Sequence, residues 1–439
     1  MRHGGRAAQS GPCAAASAGA AALLAALSFV LVSPAVMPDR AFAQSAVLQS
    51  DPGFSRWLTG LWPRAEAMGI TRATFERATR GLTLDRSLPD LVIPGRAEPP
   101  ARSQPEFVQT PADYLRERTL AGLAARGRRL AAPHRDTLMR IERDFGVPGE
   151  IVLAIWGRET GFGAVKLPHN ALRVLATQGY LGRRKEMFTA EFLLALKLVQ
   201  DGDVPPEAMR SSWAGAMGQT QFLPTDFFRY AVDYDGDGRR DIWNSVPDAL
   251  AATARLLQGK GWRAGEPWAI EMRAPATSDC TEGTPATVRP VRDWLARGYA
   301  PAHQRRLPAT WMALDASLLQ PEGIYGPAFL TLKNYFVLKD YNFSDLYVLF
   351  VGHLADRIGQ GDAAARFATP WSQSRQLRST EVEELQRGLL ARGFYADKVD
   401  GWAGMLTRAA LGAYQKANGL RLDCWPTSEA LRHMRGGGR

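Results

Sequence analysis

The sequence predicts a mainly α-helical protein with a small β-containing insertion and a separate helical domain near its C-terminal end. Apolar residues recur at helical spacing through most of residues 54–199. Proline, threonine and glycine become frequent in residues 266–319, where short apolar runs suggest strands. Thr380 and Glu383 have the spacing of a capping box, which predicts the first helix of the C-terminal domain. With 439 residues, 46% of them hydrophobic, the chain can bury the cores of roughly two to three domains.

Residues 1–43 have the order of a secretory signal peptide. Two arginines precede an apolar run from Ala20 to Val32, and a small-x-small sequence ends at Ala43. We expect cleavage after Ala43 and a periplasmic mature chain. The apolar run is shorter than a membrane-spanning helix, and Cys13 lies before it rather than just after it. We therefore expect no transmembrane segment and no lipid anchor.

The chain is basic, with a formal net charge of +10 that falls to about +8 when residues 1–43 are removed. A basic exported protein suits an anionic partner, and a cell wall with acidic peptide stems is one. A generally arginine-rich composition without such a partner is the alternative. The export signal, together with the lack of a nucleic-acid-binding motif in the sequence, argues against a nucleic-acid partner.

A short buried helix is predicted after Pro148, and it carries a carboxyl group at its far end. Pro148 suits a first helical position, the run Ile151–Trp156 is apolar all round, and a glycine follows Glu159 and Thr160 as a stop. We expect this environment to raise the pKa of Glu159, as a general acid at neutral pH requires. The alternative is that Glu159 pairs with a nearby arginine such as Arg158 or Arg173.

The segment from Trp213 to Pro224 is apolar and punctuated by glycines, with Ser212 at its head and Gln221 among its polar groups. Glycines let backbone approach a sugar ring, while serine and glutamine supply neutral hydrogen bonds to hydroxyl and acetamido groups. The segment therefore favours a saccharide-binding loop. A tight helix–helix contact built from small residues is the other interpretation.

Three segments together resemble the membrane-bound type B family of lytic murein transglycosylases, from about Asp51 to about Ile358. They are the Glu159-Thr160 helix, the Ser212–Pro224 segment, and Tyr341-Asn342 followed by Tyr347; the sequence Gln104-Pro105-Glu106-Phe107 matches a further family signature. The resemblance implies a goose-type, lysozyme-like catalytic domain over residues 44–366. It also implies a sugar-binding cleft lined by Tyr114, Ser212, Gln221, Tyr341, Asn342 and Tyr347. One tyrosine of the family cleft is replaced by Leu256.

The resemblance implies a lyase that cleaves the MurNAc–GlcNAc β-1,4 bond of peptidoglycan and forms 1,6-anhydroMurNAc. Glu159 would be its single acid and base, no cofactor would take part in catalysis, and the expected partner is the glycan strand, bound by a monomer. Two alternatives remain: a hydrolytic muramidase that uses a second carboxylate, and a wall-binding protein without catalysis. His134, His169 and His353 lack zinc-ligand spacing.

Residues 233–248 resemble a calcium-binding loop. Aspartates occupy positions 1, 3 and 5, glycine occupies position 6, and another aspartate occupies position 9. Asn244 replaces the usual glutamate at position 12, so we expect Asp248 to supply the last carboxylate. The candidate ligands are Asp233, Asp235, Asp237, the Arg239 carbonyl and Asp248. A structural calcium ion is the expected ligand, and a solvated acidic turn is the alternative.

Residues 367–379 are predicted to be a linker. Residues 380–439 resemble the small three-helix peptidoglycan-binding domain, with two departures: Met405 stands where proline is common, and Cys424 replaces the glycine of a second Asp-Gly turn. Cys280 and Cys424 remain after the expected cleavage, in a compartment where a disulfide bond could persist. The sequence leaves open whether they form one.

Overall fold

A computed structural model describes residues 51–95, 109–303, 306–372 and 377–437. The predicted signal peptide and the sequence Gln104-Pro105-Glu106-Phe107 lie outside these residues. Within them, no helix is both long and apolar enough to cross a membrane.

Helices form most of the described residues ahead of the five-stranded sheet. They span Pro52–Gly60, Trp62–Ala67, Arg72–Thr79, Pro111–Tyr114, Glu117–Ala131, Arg135–Phe145, Gly149–Thr160, Ala171–Leu181, Lys185–Asp201, Pro224–Tyr230 and Val246–Gly259. Side chains that accept hydrogen bonds from the first-turn amides begin several of them, as Asn170 does for the Arg173 amide at 3.1 Å. Two further helices, Lys333–Tyr341 and Asp345–Gln360, return the chain to the large domain after the sheet, and a short helix, Asp362–Ala365, follows.

The Gly149–Thr160 helix lies at the centre of the large domain. Its middle, from Ile151 to Trp156, is apolar on every side, so neighbouring helices must cover all faces of that run. The helices Asp345–Gln360 and Glu117–Ala131 pack against it, and almost all its residues are buried. It ends at Gly161, whose φ of 56° is the left-handed conformation that glycine adopts readily.

A short antiparallel pair joins β1 (His169–Asn170) to β2 (Arg210–Ser211). The insertion supplies most of a second antiparallel sheet, whose strands among the described residues are β3 (Ala269–Arg273), β4 (Val288–Pro290), β5 (Ala300–Pro301), β6 (Asp315–Leu319) and β7 (Ala328–Thr331). Their order across the sheet is β4-β6-β7-β3-β5, and the Val291–Ala296 helix packs beside them. In the sheet's register Ile270 and Leu318 both oppose Leu330, which gives the insertion its own apolar core. Strand β7 lies beyond the predicted insertion of residues 266–319.

The C-terminal domain contains the helices Ser379–Ala391, Met405–Ala417 and Ser428–Arg432 within the described residues. Leu385, Leu411 and Leu431 contribute one residue from each helix to a shared core. The capping box lies two residues earlier than predicted. The helix begins at Ser379, and the Glu381 carboxylate, not that of Glu383, accepts the hydrogen bond from the Arg378 amide at 2.9 Å. The predicted architecture, mainly α-helical with a small sheet insertion and C-terminal helices, is confirmed.

A disulfide bond joins Cys280 of the insertion to Cys424 of the C-terminal domain. Cys280 opens a short 3₁₀ turn, Cys280–Glu282, which contacts the Met405–Ala417 helix. The bond links residues 144 positions apart and fastens the two domains to each other.

Candidate active site

Glu159 lies at the C-terminal end of the central helix and is 6% exposed. The hydroxyl group of Tyr347 donates a hydrogen bond to its Oε1 atom at 2.5 Å. Burial, followed by the charge of Glu159, raises the pKa of Tyr347 well above its ordinary value. The tyrosine hydroxyl therefore stays protonated and remains a donor to the carboxylate.

Tyr341 stacks on Tyr347, with ring centroids 6.3 Å apart and ring planes within 6° of parallel. Its hydroxyl donates to the Thr220 carbonyl at 2.5 Å. Burial is the largest cause of the raised pKa of Tyr341, and the charges of Glu159 and Asp226 add to it. The two tyrosines thus connect Glu159 to the glycine-rich loop of residues 212–224.

Gln221 adopts a left-handed backbone conformation in that loop, with φ of 56°, which is uncommon for a residue other than glycine. Its side-chain Nε2 donates to the Gly218 carbonyl at 3.0 Å. Its Oε1 atom is buried and accepts no hydrogen bond from the described residues. Ser212 caps the start of the same loop, where its Oγ accepts from the amides of Ala214 and Ala216 at 3.3 and 3.2 Å.

Gln219 fastens the loop to the central helix. Its Oε1 accepts from Trp156 Nε1 at 2.7 Å, and its Nε2 donates to the Trp243 carbonyl at 3.1 Å. Gln219 also lies close to Gly163, just beyond the helix: a Cβ atom built on this glycine would be 2.4 Å from Gln219 Oε1, so the position has no room for a side chain. The loop therefore has a fixed place beside the end of the Glu159 helix.

The two arginines that the sequence offered as partners for Glu159, Arg158 and Arg173, make hydrogen bonds to other residues. Arg158 donates to the hydroxyl of Tyr114, and its guanidinium carbon lies 4.7 Å from the centre of the Tyr114 ring. Arg173 donates to the Thr83 and Leu84 carbonyls, both at 3.1 Å. Tyr114 is thereby held against the residue that precedes Glu159.

Asn342 follows the Lys333–Tyr341 helix and is buried, and its Oδ1 accepts from the Ser344 amide at 3.1 Å. Ser344 in turn caps the helix that carries Tyr347, because its Oγ accepts from the Leu346 and Tyr347 amides at 3.2 and 3.4 Å. Sequence reasoning missed Ser344 and Thr220. A serine just before an apolar helix is an N-cap signal that could have identified Ser344.

The structure brings three of the five candidate metal ligands together. Carboxylate oxygens of Asp233, Asp235 and Asp248 lie within 4.8 Å of one another. Asp248 is buried and accepts hydrogen bonds from the Tyr234 and Asp241 amides at 2.7 and 2.8 Å. Burial is the largest cause of its raised pKa, with a contribution from the charge of Asp235. Asp237 is exposed, and its Oδ1 accepts from the Arg239 amide at 2.8 Å.

Two known protein families match separate parts of this chain. A model of the Transglycosylase SLT domain matches residues 53–356, and a model of a peptidoglycan binding domain matches residues 378–434. Membrane-bound lytic murein transglycosylase B of Escherichia coli (strain K12) is 32% identical over 242 residues, which cover 53% of this chain. The match spans 62% of that relative's length.

Crystal structures of SltB3 from Pseudomonas aeruginosa are similar over 87% of this chain and 99% of SltB3, at 40% identity. The TM-score is 0.78 for its complex with NAG-anhNAM-pentapeptide and 0.79 for its complex with NAG-NAM-pentapeptide. The resemblance found in the sequence and the lysozyme-like fold that it implied are both confirmed. The chain belongs to the Transglycosylase SLT domain family and carries a peptidoglycan binding domain at its C-terminal end.

Proposed function

We propose that this protein is a lytic transglycosylase that cleaves the MurNAc–GlcNAc β-1,4 bond of peptidoglycan and leaves a 1,6-anhydroMurNAc end. The observation that carries the proposal is the buried carboxyl of Glu159, held by the Tyr347 hydroxyl at 2.5 Å in a chain of the Transglycosylase SLT domain family. The similar SltB3 was crystallised with NAG-anhNAM-pentapeptide, which has the kind of end that we propose.

Glu159 acts first as an acid and then as a base. Its protonated carboxyl gives a proton to the glycosidic oxygen, the bond from that oxygen to C1 of MurNAc breaks, and GlcNAc leaves with the electron pair as its O4 hydroxyl. The Glu159 carboxylate then removes the proton from the C6 hydroxyl of the same MurNAc. The C6 oxygen attacks C1 and closes the anhydro ring, so no water is consumed and Glu159 is protonated again.

The positive charge that develops at C1 is offset by the acetamido group of the substrate itself, so a second carboxylate is not required. The Tyr347 hydroxyl keeps the Glu159 carboxyl in one orientation through both proton transfers. Burial suits the acid step, because a carboxyl group removed from water is easier to keep protonated near neutral pH.

The surrounding polar groups would hold the sugar rings. The buried Gln221 Oε1, which accepts no hydrogen bond from the described residues, suits an N–H or O–H donor of the glycan. The other proposed cleft residues are Tyr114, Ser212, Tyr341, Asn342 and Tyr347. Each is 6% exposed or less, so they would act mainly by fixing the shape of the cleft. Backbone strain at Gln221 is consistent with a binding role, since such conformations concentrate at ligand sites.

A hydrolytic muramidase is the second candidate, and one observation favours testing it. Asp226 is a buried carboxyl whose charge, like that of Glu159, raises the pKa of Tyr341. An Asp226 carboxylate that activated water for attack on C1 would give hydrolysis rather than ring closure.

Release of soluble muropeptides from purified peptidoglycan tests the proposal. The mature chain should release them, Glu159→Gln should not, and Asp226→Asn should retain the activity if its folding is preserved. Loss of activity in a folded Asp226→Asn would favour the hydrolytic mechanism. Unchanged wall binding with no release by the parent protein would leave a binding role only.

A structural calcium ion is proposed at the Asp233–Asp248 loop. Oxygen ligands are the ones that calcium prefers, and three carboxylates at mutual distances within 4.8 Å fit a small hard cation. The hydrogen bonds that Asp248 accepts from the loop amides hold its carboxylate beside those of Asp233 and Asp235. An ion there would brace the loop that follows the Gln221 segment and would take no part in bond cleavage.

The cellular setting proposed is the periplasm, where a monomer acts on glycan strands. The C-terminal domain would add affinity for the wall, and the disulfide bond between Cys280 and Cys424 is compatible with an oxidising compartment.

A further inference from the structure

The C-terminal domain packs firmly against the rest of the protein. Besides the disulfide bond, the Ile324 amide donates to the Asp423 carbonyl at 3.2 Å, and Lys416 forms an ion pair with Asp279. Met405, the first residue of its second helix, belongs to the main core of the catalytic domain. The domain is therefore attached at several points on two different parts of the protein.

Arg408, one turn along the same helix, reaches the catalytic domain. Its Nη2 atom lies 3.2 Å from Asp345 Oδ2, and the two side chains are only 9% and 10% exposed. The other carboxylate oxygen, Oδ1, accepts from the Tyr335 hydroxyl at 2.7 Å and from Lys339 Nζ at 2.6 Å. Burial alone would raise the pKa of Asp345, but the charges of Lys339 and Arg408 hold it well below its usual range.

Asp345 belongs to the helical turn that carries Tyr347. It is the first residue of the Asp345–Gln360 helix, and Tyr347 lies two residues further on. The Ser344 hydroxyl accepts hydrogen bonds from both the Leu346 and the Tyr347 amide and so ties this turn together. The Tyr347 hydroxyl in turn holds Glu159 at 2.5 Å. A continuous series of buried contacts therefore runs from Arg408 to Glu159.

Such a series matters because the geometry of a general acid is sensitive to small displacements. A misplacement of about 1 Å by a distant change can cost on the order of a hundredfold in rate. Removal of Arg408 would leave Oδ2 of the Asp345 carboxylate without its charged partner. We expect the first turn of the Asp345–Gln360 helix to shift until this oxygen finds another hydrogen-bond donor.

We propose that Arg408 is a positioning residue for the reaction, which acts through Asp345 and the first turn of the Asp345–Gln360 helix to keep Tyr347 against Glu159. The C-terminal domain then contributes to bond cleavage as well as to wall binding. This inference rests on the proposed transglycosylase function.

Lys416 provides a matched control within the same domain. Its ion pair with Asp279 also joins the C-terminal domain to the rest of the protein, but it contacts the insertion rather than the Tyr347 turn. Loss of either ion pair weakens the attachment between domains, whereas only the loss of Arg408 disturbs Asp345.

The test compares Arg408→Met, Arg408→Lys and Lys416→Met in the full mature chain with its disulfide intact, using soluble glycan strands as substrate and mass spectrometry to follow anhydro ends. We expect Arg408→Met to lower kcat about tenfold with KM within about twofold, as for lost transition-state positioning. Arg408→Lys should recover to within about threefold of the parent, and Lys416→Met should stay within about twofold.

An unchanged kcat in Arg408→Met, an equal loss in Lys416→Met, or an effect on KM alone would overturn the inference. If Arg408→Met does not fold, Arg408→Gln replaces it with the same thresholds. Asp345→Asn supplies a second check: Arg408→Met should add little to its defect, and fully independent losses would also overturn the inference. A parent protein without activity would refute the proposed function instead.

Discussion

Replacing Tyr347 with phenylalanine should slow bond cleavage by about 30-fold while leaving the fold intact. The change removes only the hydroxyl that donates to Glu159 at 2.5 Å, and the ring can still stack on Tyr341 at 6.3 Å. A hydrogen bond to a charged group contributes roughly 1.5–3 kcal/mol, and about 2 kcal/mol corresponds to about 30-fold in rate. Because the hydroxyl is fully buried, water cannot easily replace it.

The assay is the initial rate of anhydro-end formation on soluble glycan strands at saturating substrate. Tyr325→Phe is the matched control, since it removes a tyrosine hydroxyl that donates to another carboxylate, Asp423 Oδ2, at 2.8 Å. The control should keep kcat within about twofold of the parent. A kcat for Tyr347→Phe that matches the control would refute the argument that this hydroxyl orients Glu159.

Lowering the pH from about 7 to about 5 should reduce the free energy of unfolding by about 2 kcal/mol through His353. Burial lowers the pKa of this histidine from 6.5 to about 3, so between these pH values the unfolded chain binds a proton that the folded chain does not. Urea titrations should show this loss in the parent but not in His353→Gln, and identical pH profiles would contradict it. Calcium at a hundredfold excess over its Kd should add about 2.7 kcal/mol to the unfolding free energy, and Asp248→Asn should abolish this gain. An equal rise in thermal midpoint in the parent and in Asp248→Asn would exclude calcium binding at the Asp233–Asp248 loop. Combining Cys280→Ser with Cys424→Ser should lower the unfolding free energy by about 3–5 kcal/mol, because the disulfide bond joins residues 144 positions apart and so closes a long loop in the unfolded chain. A loss under about 1 kcal/mol in chemical denaturation would contradict that estimate.

Local sequence patterns predicted the elements that depend on local chemistry. The helix that carries Glu159 near its end was predicted from an apolar run bounded by Pro148 and a glycine, and the structure places it at the centre of the domain. The contact between Glu159 and Tyr347 joins residues 188 positions apart, so periodicity could not indicate it. Only the resemblance to a known family put both residues in one cleft.

Contacts between domains could not be predicted from the sequence. No local pattern marks Arg408 and Asp345 as a buried ion pair, because the burial of such a pair depends on how the two domains dock. The pairing of Cys280 with Cys424 depends on the same docking. Strand β7 extends the sheet past the predicted insertion because the short run Ala328–Thr331 is fully buried and lacks the alternation that marks a half-exposed strand.

The most direct test of the central claim is mass spectrometry of the products made from purified peptidoglycan in water enriched in heavy oxygen, with Glu159→Gln in parallel. We predict anhydro-muropeptides without the heavy label from the parent protein and none from Glu159→Gln. Reducing muropeptides formed by the parent protein and missing from Glu159→Gln would show that water attacks C1. That result would contradict ring closure by the C6 hydroxyl and, with it, the single-carboxyl mechanism assigned to Glu159.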